Sequence, residues 1–214
     1  MKSKLLLIFE LVFLLAGLVA YALGYLPLPI LPLFVVAWVS LRLRGLHWRD
    51  VGLRHPKQWL STIGYALLFG IGYQVLDVLF ITPLLEKMTG QPVDLSQFAL
   101  IRGNLPFFLG SLLASWTLAA FIEELFFRGY LLNRTMDFSG RDKKGILIAL
   151  GLNALVFGAA HFYQGSTGVI STTLAGLALG GLYFFAGNNL WLPILTHGII
   201  DTTGFLLIYL GWQG

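Results

Sequence analysis

A few ionisable side chains sit within otherwise apolar sequence: Glu10, Asp77, Glu123, Glu124, Arg128, His161, His197 and Asp201. Near a bilayer centre such a group costs about 2.5–3.5 kcal/mol, so each one needs a partner or a task. Glu124 and Arg128 are spaced i,i+4 with the acid first, the favourable direction for a pair within one helix. Glu123 lies one residue away, about 100° around an α-helix, and so points toward a different neighbour. One carboxyl group is thereby left without a local counter-charge, the situation of a general base or acid. Asn153, Phe157 and His161 follow one another at i,i+4 on one face. His197 and Asp201 do the same, which brings an imidazole and a carboxylate within reach of each other. Three helices therefore offer a carboxylate, two imidazoles and a second acid to a common interior. That set can deprotonate a water and stabilise a developing oxyanion. No Ser stands beside a His in a nucleophile pattern, and the absence of Cys removes thiol nucleophiles and thiolate metal sites.

The elements that must position these groups are set by hydropathy. Of 214 residues 57% are apolar and only 11% charged, against about 25% in soluble domains, and mean hydropathy is +0.80. Too few charges remain to cover a water-facing surface, so the fold class is an all-α, polytopic membrane bundle. Apolar runs at 5–24, 26–41, 59–85, 105–132, 145–162, 169–186 and 190–212 predict about seven transmembrane helices. Connections 42–58 and 133–144 are rich in Arg and Lys, whereas 86–104 is balanced. The positive-inside rule then puts the N-terminus in the cytoplasm and the C-terminus outside. Lys2 and Lys4, an apolar stretch and Ala20-Tyr21-Ala22 also fit a cleavable signal peptide, which would leave the remaining orientation unchanged. Gly176 and Gly180, followed by Gly181, form a helix-packing spacing. Asp94 to Gln97 reads as the start of a short interfacial helix. Glu10 and Asp77 are expected to hydrogen-bond between helices or to line a cavity. No linker divides the chain, so 1–104 (N-terminal helices and connecting loops) and 105–214 (helical core) are expected to form one integrated membrane domain. The net charge of +4 is too small and dispersed to argue for nucleic acid.

Taken in order, Glu123-Glu124-Leu125-Phe126-Phe127-Arg128, Phe157-Gly158-Ala159-Ala160-His161 and His197-Gly198-Ile199-Ile200-Asp201 resemble the E-E-x-x-x-R, F-x-x-x-H and H-x-x-x-N/D motifs of one family. This is the CAAX protease and bacteriocin-processing family (CPBP, also called Abi) of glutamic intramembrane endopeptidases. Trp116 upstream and Gly129-Tyr130-Leu131 downstream extend the likeness, which covers roughly residues 105–205. The resemblance implies a helical bundle around a cavity within the membrane and peptide hydrolysis with no cofactor and no metal. It implies that Glu123 and His161 activate the attacking water and that His197 with Asp201 stabilises the oxyanion. Glu124, Arg128 and Phe157 are then supporting residues. The best-known members carry Asn where this chain has Asp201, and an ionised Asp cannot donate a hydrogen bond. The preferred reading is therefore that Asp201 orients His197, which acts as the donor.

The partners expected are a peptide or protein substrate, in some members lipidated, and membrane lipids. The setting expected is a prokaryotic cytoplasmic membrane, and the family suggests access from the cytoplasmic side. Two rival readings stay open on the residues alone. One Glu, two His and one Asp could hold a divalent metal, although the spacing is not that of H-E-x-x-H. The second rival is a non-hydrolytic scaffold, immunity or transport protein, for which Glu10 and Asp77 speak.

Overall fold

A computed structural model describes residues 30–212 and, ahead of them, residues 8–10, 12, 13, 16, 17, 19, 20 and 25. Among the described residues the protein is helical, without strands. Helix α1 spans Ile30–Leu43, α2 Trp59–Thr89, α3 Leu105–Ser139, α4 Lys143–Ala159, α5 Gly165–Phe185 and α6 Trp191–Tyr209. Short 3₁₀ turns occupy Ser96–Ile101 and Phe162–Gln164. Residues 8–10, 12, 13, 16, 17, 19 and 20 are also helical.

Four helical stretches are long and apolar enough to cross a membrane: Trp59–Thr89, Leu105–Ser139, Phe162–Phe185 and Trp191–Tyr209. Their outward faces carry large apolar side chains, among them Leu60, Leu68, Phe80, Leu109 and Leu113. Lipid, not water, is the solvent such a surface matches. The expected count of about seven is not reached by this measure. The run at 5–24 lies largely outside the described residues. Helix α1 has 14 residues, about 21 Å, and α4 has 17, about 26 Å, both short of a ~30 Å hydrocarbon core. The apolar run at 145–162 outlasts its helix, because the backbone leaves the α conformation after Ala159 and turns at Ala160 and His161.

The connections gather at two ends. At one end the basic segment 42–58 is stitched to the turn before α6. Leu190 N–H donates to the Gly52 carbonyl (3.0 Å), Arg54 Nη2 to the Gly187 carbonyl (2.8 Å) and Asn189 Nδ2 to the Arg54 carbonyl (2.8 Å). At the same end Tyr183 Oη donates to the Val51 carbonyl and accepts from Asn133 Nδ2 (3.1 Å each). At the other end Asp94 N–H donates to the Gln164 carbonyl and Gly103 N–H to the Tyr209 carbonyl (3.0 Å each). The two basic connections thus share one end and 86–104 occupies the opposite one, as alternating spans require.

Close helix contacts occur where glycine removes a Cβ. In α5, a Cβ on Gly176 would meet the Ala154 Cα of α4 at 3.2 Å, and one on Gly180 would lie 2.3 Å from Leu150 Cδ1. The G-x-x-x-G spacing therefore marks the α4–α5 seam, whereas Gly181 faces open space. On α2, Gly70 lets α6 approach until a Cβ would lie 2.6 Å from Ile199 Cγ2.

Glu10 is buried and accepts from Ser40 Oγ and from Arg44 Nη2 (2.8 Å to Oε2), tying the N-terminal helical residues to α1. Asp77, in a π turn of α2, accepts from Ser171 of α5 (2.8 Å) and from Thr82 (3.1 Å). The segment after Asp94 is 3₁₀ rather than α. Asp94 Oδ1 accepts from Ser96 N–H at 2.9 Å, and no Gln97 bond returns to it. The bonds from Ser96 hold this exposed carboxyl below the usual carboxylate range.

Candidate active site

Helix α3 departs from α geometry where its acids lie. Ser115–Glu123 and Leu125–Leu131 are π-helical, with Glu124 between them. An i→i+5 repeat advances each residue by less than the ~100° of an α-helix. Glu123 and Glu124 can therefore both face inward, at different depths. Glu124 and Arg128 are fully buried, whereas Glu123 is partly buried and lines a cavity.

That cavity measures about 1480 Å³, above the ~300–1,000 Å³ of ordinary small-ligand pockets. Glu123, His161, His197 and Asp201 all line it, together with Ser115 and Asp77. Glu124 and Arg128 lie behind its wall. The structure thus brings the four candidate catalytic side chains from α3, the α4–α5 turn and α6 to one space, although no direct hydrogen bond among the described residues joins Glu123 to either imidazole.

Each imidazole is oriented by a different partner. His161 Nδ1 lies 2.8 Å from the Phe157 carbonyl, which can only accept. Nδ1 therefore carries the proton, and in the neutral ring Nε2 keeps a lone pair. His161 sits just beyond the end of α4, where this bond to the last helical turn sets its ring. His197 Nδ1 lies 2.9 Å from Glu124 Oε1, which also accepts from Arg128 Nη1 at 2.7 Å. On the other side His197 Nε2 is 3.7 Å from Asp201 Oδ2, beyond hydrogen-bond range. Glu124, then, rather than Asp201, is the carboxylate bonded to His197. Asp201 Oδ2 instead accepts from Ser115 Oγ at 2.6 Å.

Phe157 is the aromatic centre of the wall. Its ring stacks under the Arg128 guanidinium (4.3 Å to the centroid) and meets Phe127 edge-on (4.9 Å). It also lies 5.0 Å from the His161 ring and 5.9 Å from that of His197. Arg128 Nη2 reaches the Gly176 carbonyl of α5 at 3.1 Å, and Asn153 Nδ2 donates to the Phe127 carbonyl at 2.8 Å. Trp116 lies flat over Gly198, where an added Cβ would come within 2.6 Å of the ring, and its Nε1 donates to Thr202 (3.0 Å). Among the described residues no three His, Asp or Glu side chains are arranged to hold a metal ion.

Ser115 was not expected at the site. It stands eight residues before Glu123 and 86 before Asp201, and no local spacing signals the contact. The Glu124–His197 bond likewise joins residues 73 apart.

No curated protein and no solved structure matches the chain. Residues 105–203 match the family model described as Rce1-like, type II CAAX prenyl endopeptidase. This is a family of proteases, and the apolar helices make the chain an integral membrane protein. The matched region runs from the start of α3 to the last turns of α6 and contains every residue of the three motifs. This region, 99 of the 214 residues, is what the chain shares with the CAAX protease and bacteriocin-processing family.

Proposed function

We propose that the protein is a glutamic-type intramembrane endopeptidase that cleaves a peptide bond of a membrane-associated substrate with a water activated by Glu123 and His161. The observation that carries this reading is the convergence of Glu123, His161, His197 and Asp201 on one cavity from three separate parts of the chain. Glu123 lines the cavity with a carboxyl group that accepts no side-chain or backbone hydrogen bond among the described residues, and His161 offers Nε2. Either can take a proton from a water held between them as its oxygen attacks the scissile carbonyl. His197, held through Nδ1 by the Glu124–Arg128 pair, turns Nε2 toward the cavity as a donor for the oxyanion when that nitrogen is protonated. Asp201 Oδ2 lies 3.7 Å from that nitrogen, and Ser115 fixes its side chain. Glu124, Arg128 and Phe157 act as positioning residues. The substrate is a peptide or protein segment, of the prenylated CAAX type or a leader peptide, and the setting is a prokaryotic cytoplasmic membrane with the N-terminus inside and the C-terminus outside.

The test is cleavage of a peptide library, including prenylated CAAX peptides, by purified protein beside its Glu123→Gln variant. Cleavage that survives chelation and disappears in the variant is the expected result. Loss on chelation restored by zinc would replace the mechanism with a metal-dependent one. Equal cleavage by both proteins would remove Glu123 from the chemistry.

A further inference from the structure

The cavity is not central between the two ends of the bundle. Gln91, Asp94, Gln97, Ala99 and Arg102 from the connection 86–104, with Gln164 from the α4–α5 turn, line it at one end. None of its lining residues comes from 42–58, 133–144 or 186–190, all of which are described.

The opposite end is filled. Leu125, Leu132, Met136, Ala149, Tyr183, Leu190 and Ile194 form a buried cluster on that side of the site. Beyond it segment 42–58 is clamped to the turn before α6 by the three hydrogen bonds described above. Gly52, at φ +113°, is pressed so closely there that a Cβ would lie 2.7 Å from the Asn188 carbonyl oxygen. A chain reaching the site from that end would have to break this packing.

Charge tells the two ends apart. Nine of the 14 Lys and Arg residues lie in the connections 42–58 and 133–144, at the closed end. At the open end Lys87 and Arg102 are offset by Glu86 and Asp94. Both basic connections are short, the regime in which Lys and Arg retain a loop in the cytoplasm.

We infer that the cavity opens on the extracytoplasmic face, and that its substrate is a peptide segment presented from outside, either translocated or anchored with its cleavable part on the outer side. This rests on the endopeptidase reading for the word substrate, but the access itself does not. It departs from the cytoplasmic access that the family resemblance suggested, because here the basic loops cap the end away from the cavity mouth. A prenylated tail made in the cytoplasm would meet the closed end.

The chain has no cysteine, so single-cysteine variants report one position each. Gln97→Cys and Ala99→Cys are exposed at the mouth, and His55→Cys is exposed in the basic connection. In intact bacterial cells a membrane-impermeant maleimide should block both mouth positions, abolishing later fluorescent labelling. It should leave His55→Cys unblocked until the cells are permeabilised. Blocking of His55→Cys alone in intact cells would overturn the inference. An impermeant quenched peptide added to sealed vesicles provides the second measurement. Cleavage by right-side-out but not inverted vesicles is expected, and cleavage by inverted vesicles alone would also overturn it. Mouth positions blocked from outside, with no cleavage in either orientation, would support the access while removing the endopeptidase reading.

Discussion

The Arg128–Glu124 pair makes the most quantitative prediction. Both side chains are fully buried, Nη1 bonds Glu124 Oε1 at 2.7 Å, Nη2 bonds the Gly176 carbonyl, and the guanidinium covers the Phe157 ring. Arg128→Ala removes all three contacts at once. Glu124 keeps one partner, His197 Nδ1, while its charge remains in the interior, and the Gly176 carbonyl loses its side-chain donor. Breaking a buried pair by removing one partner costs about 3–5 kcal/mol, most of it from the charge left behind. Much of that cost should vanish when the charge is removed as well. Glu124→Gln combined with Arg128→Met retains an acceptor for His197 and most of the volume, so the double variant should regain at least about 2 kcal/mol relative to Arg128→Ala. Arg128→Lys should fall between them. A single ammonium cannot span Glu124 and Gly176 as a fork does, which leaves one hydrogen bond worth about 1 kcal/mol unmade. The assay is reversible unfolding in mixed micelles, followed by tryptophan fluorescence. An Arg128→Ala protein within about 0.5 kcal/mol of the parent would refute the reasoning, because two groups wholly removed from solvent cannot lose each other at so little cost.

His161→Ala and Glu123→Gln should each lower turnover by about 10²–10⁴-fold with the unfolding midpoint unchanged, as expected for loss of a proton-transfer group, in a peptide-cleavage assay on folded protein. Asp201→Asn should keep turnover within about tenfold, since the amide oxygen still accepts from Ser115; a loss beyond 10³ would mean that the negative charge is itself required. Gly180→Leu should destabilise by at least about 1–3 kcal/mol, because its side chain must occupy the place of Leu150, whereas Gly181→Leu, which faces open space, should shift the unfolding midpoint little.

The ionisable residues of the site were legible because they are rare in an apolar chain and because i,i+4 spacing survives on a helix. Glu124–Arg128 formed as that spacing required, and Gly176 and Gly180 marked the seam they suggested. What stayed hidden was non-local or geometric. The Glu124–His197 and Ser115–Asp201 bonds cross between α3 and α6, and a single sequence has no spacing rule for such crossings. The π geometry around Glu124 has no residue signature, so a reading based on 3.6 residues per turn sent Glu123 toward another helix without revealing that both acids face inward. Hydropathy also failed to see the end of α4, since Ala159 and Ala160 are as apolar as the turns before them while the backbone already bends to set His161.

The match at 105–203 invites cutting the protein at residue 104, and the contacts of α6 argue against doing so. His197 rides on a helix whose leading turn is moored by Gly52 and Arg54 and whose flank is seated in the notch at Gly70. An excised C-terminal half would keep all three motifs yet lose the fixture that aims one of its imidazoles, so the unmatched half is part of the instrument rather than its packaging.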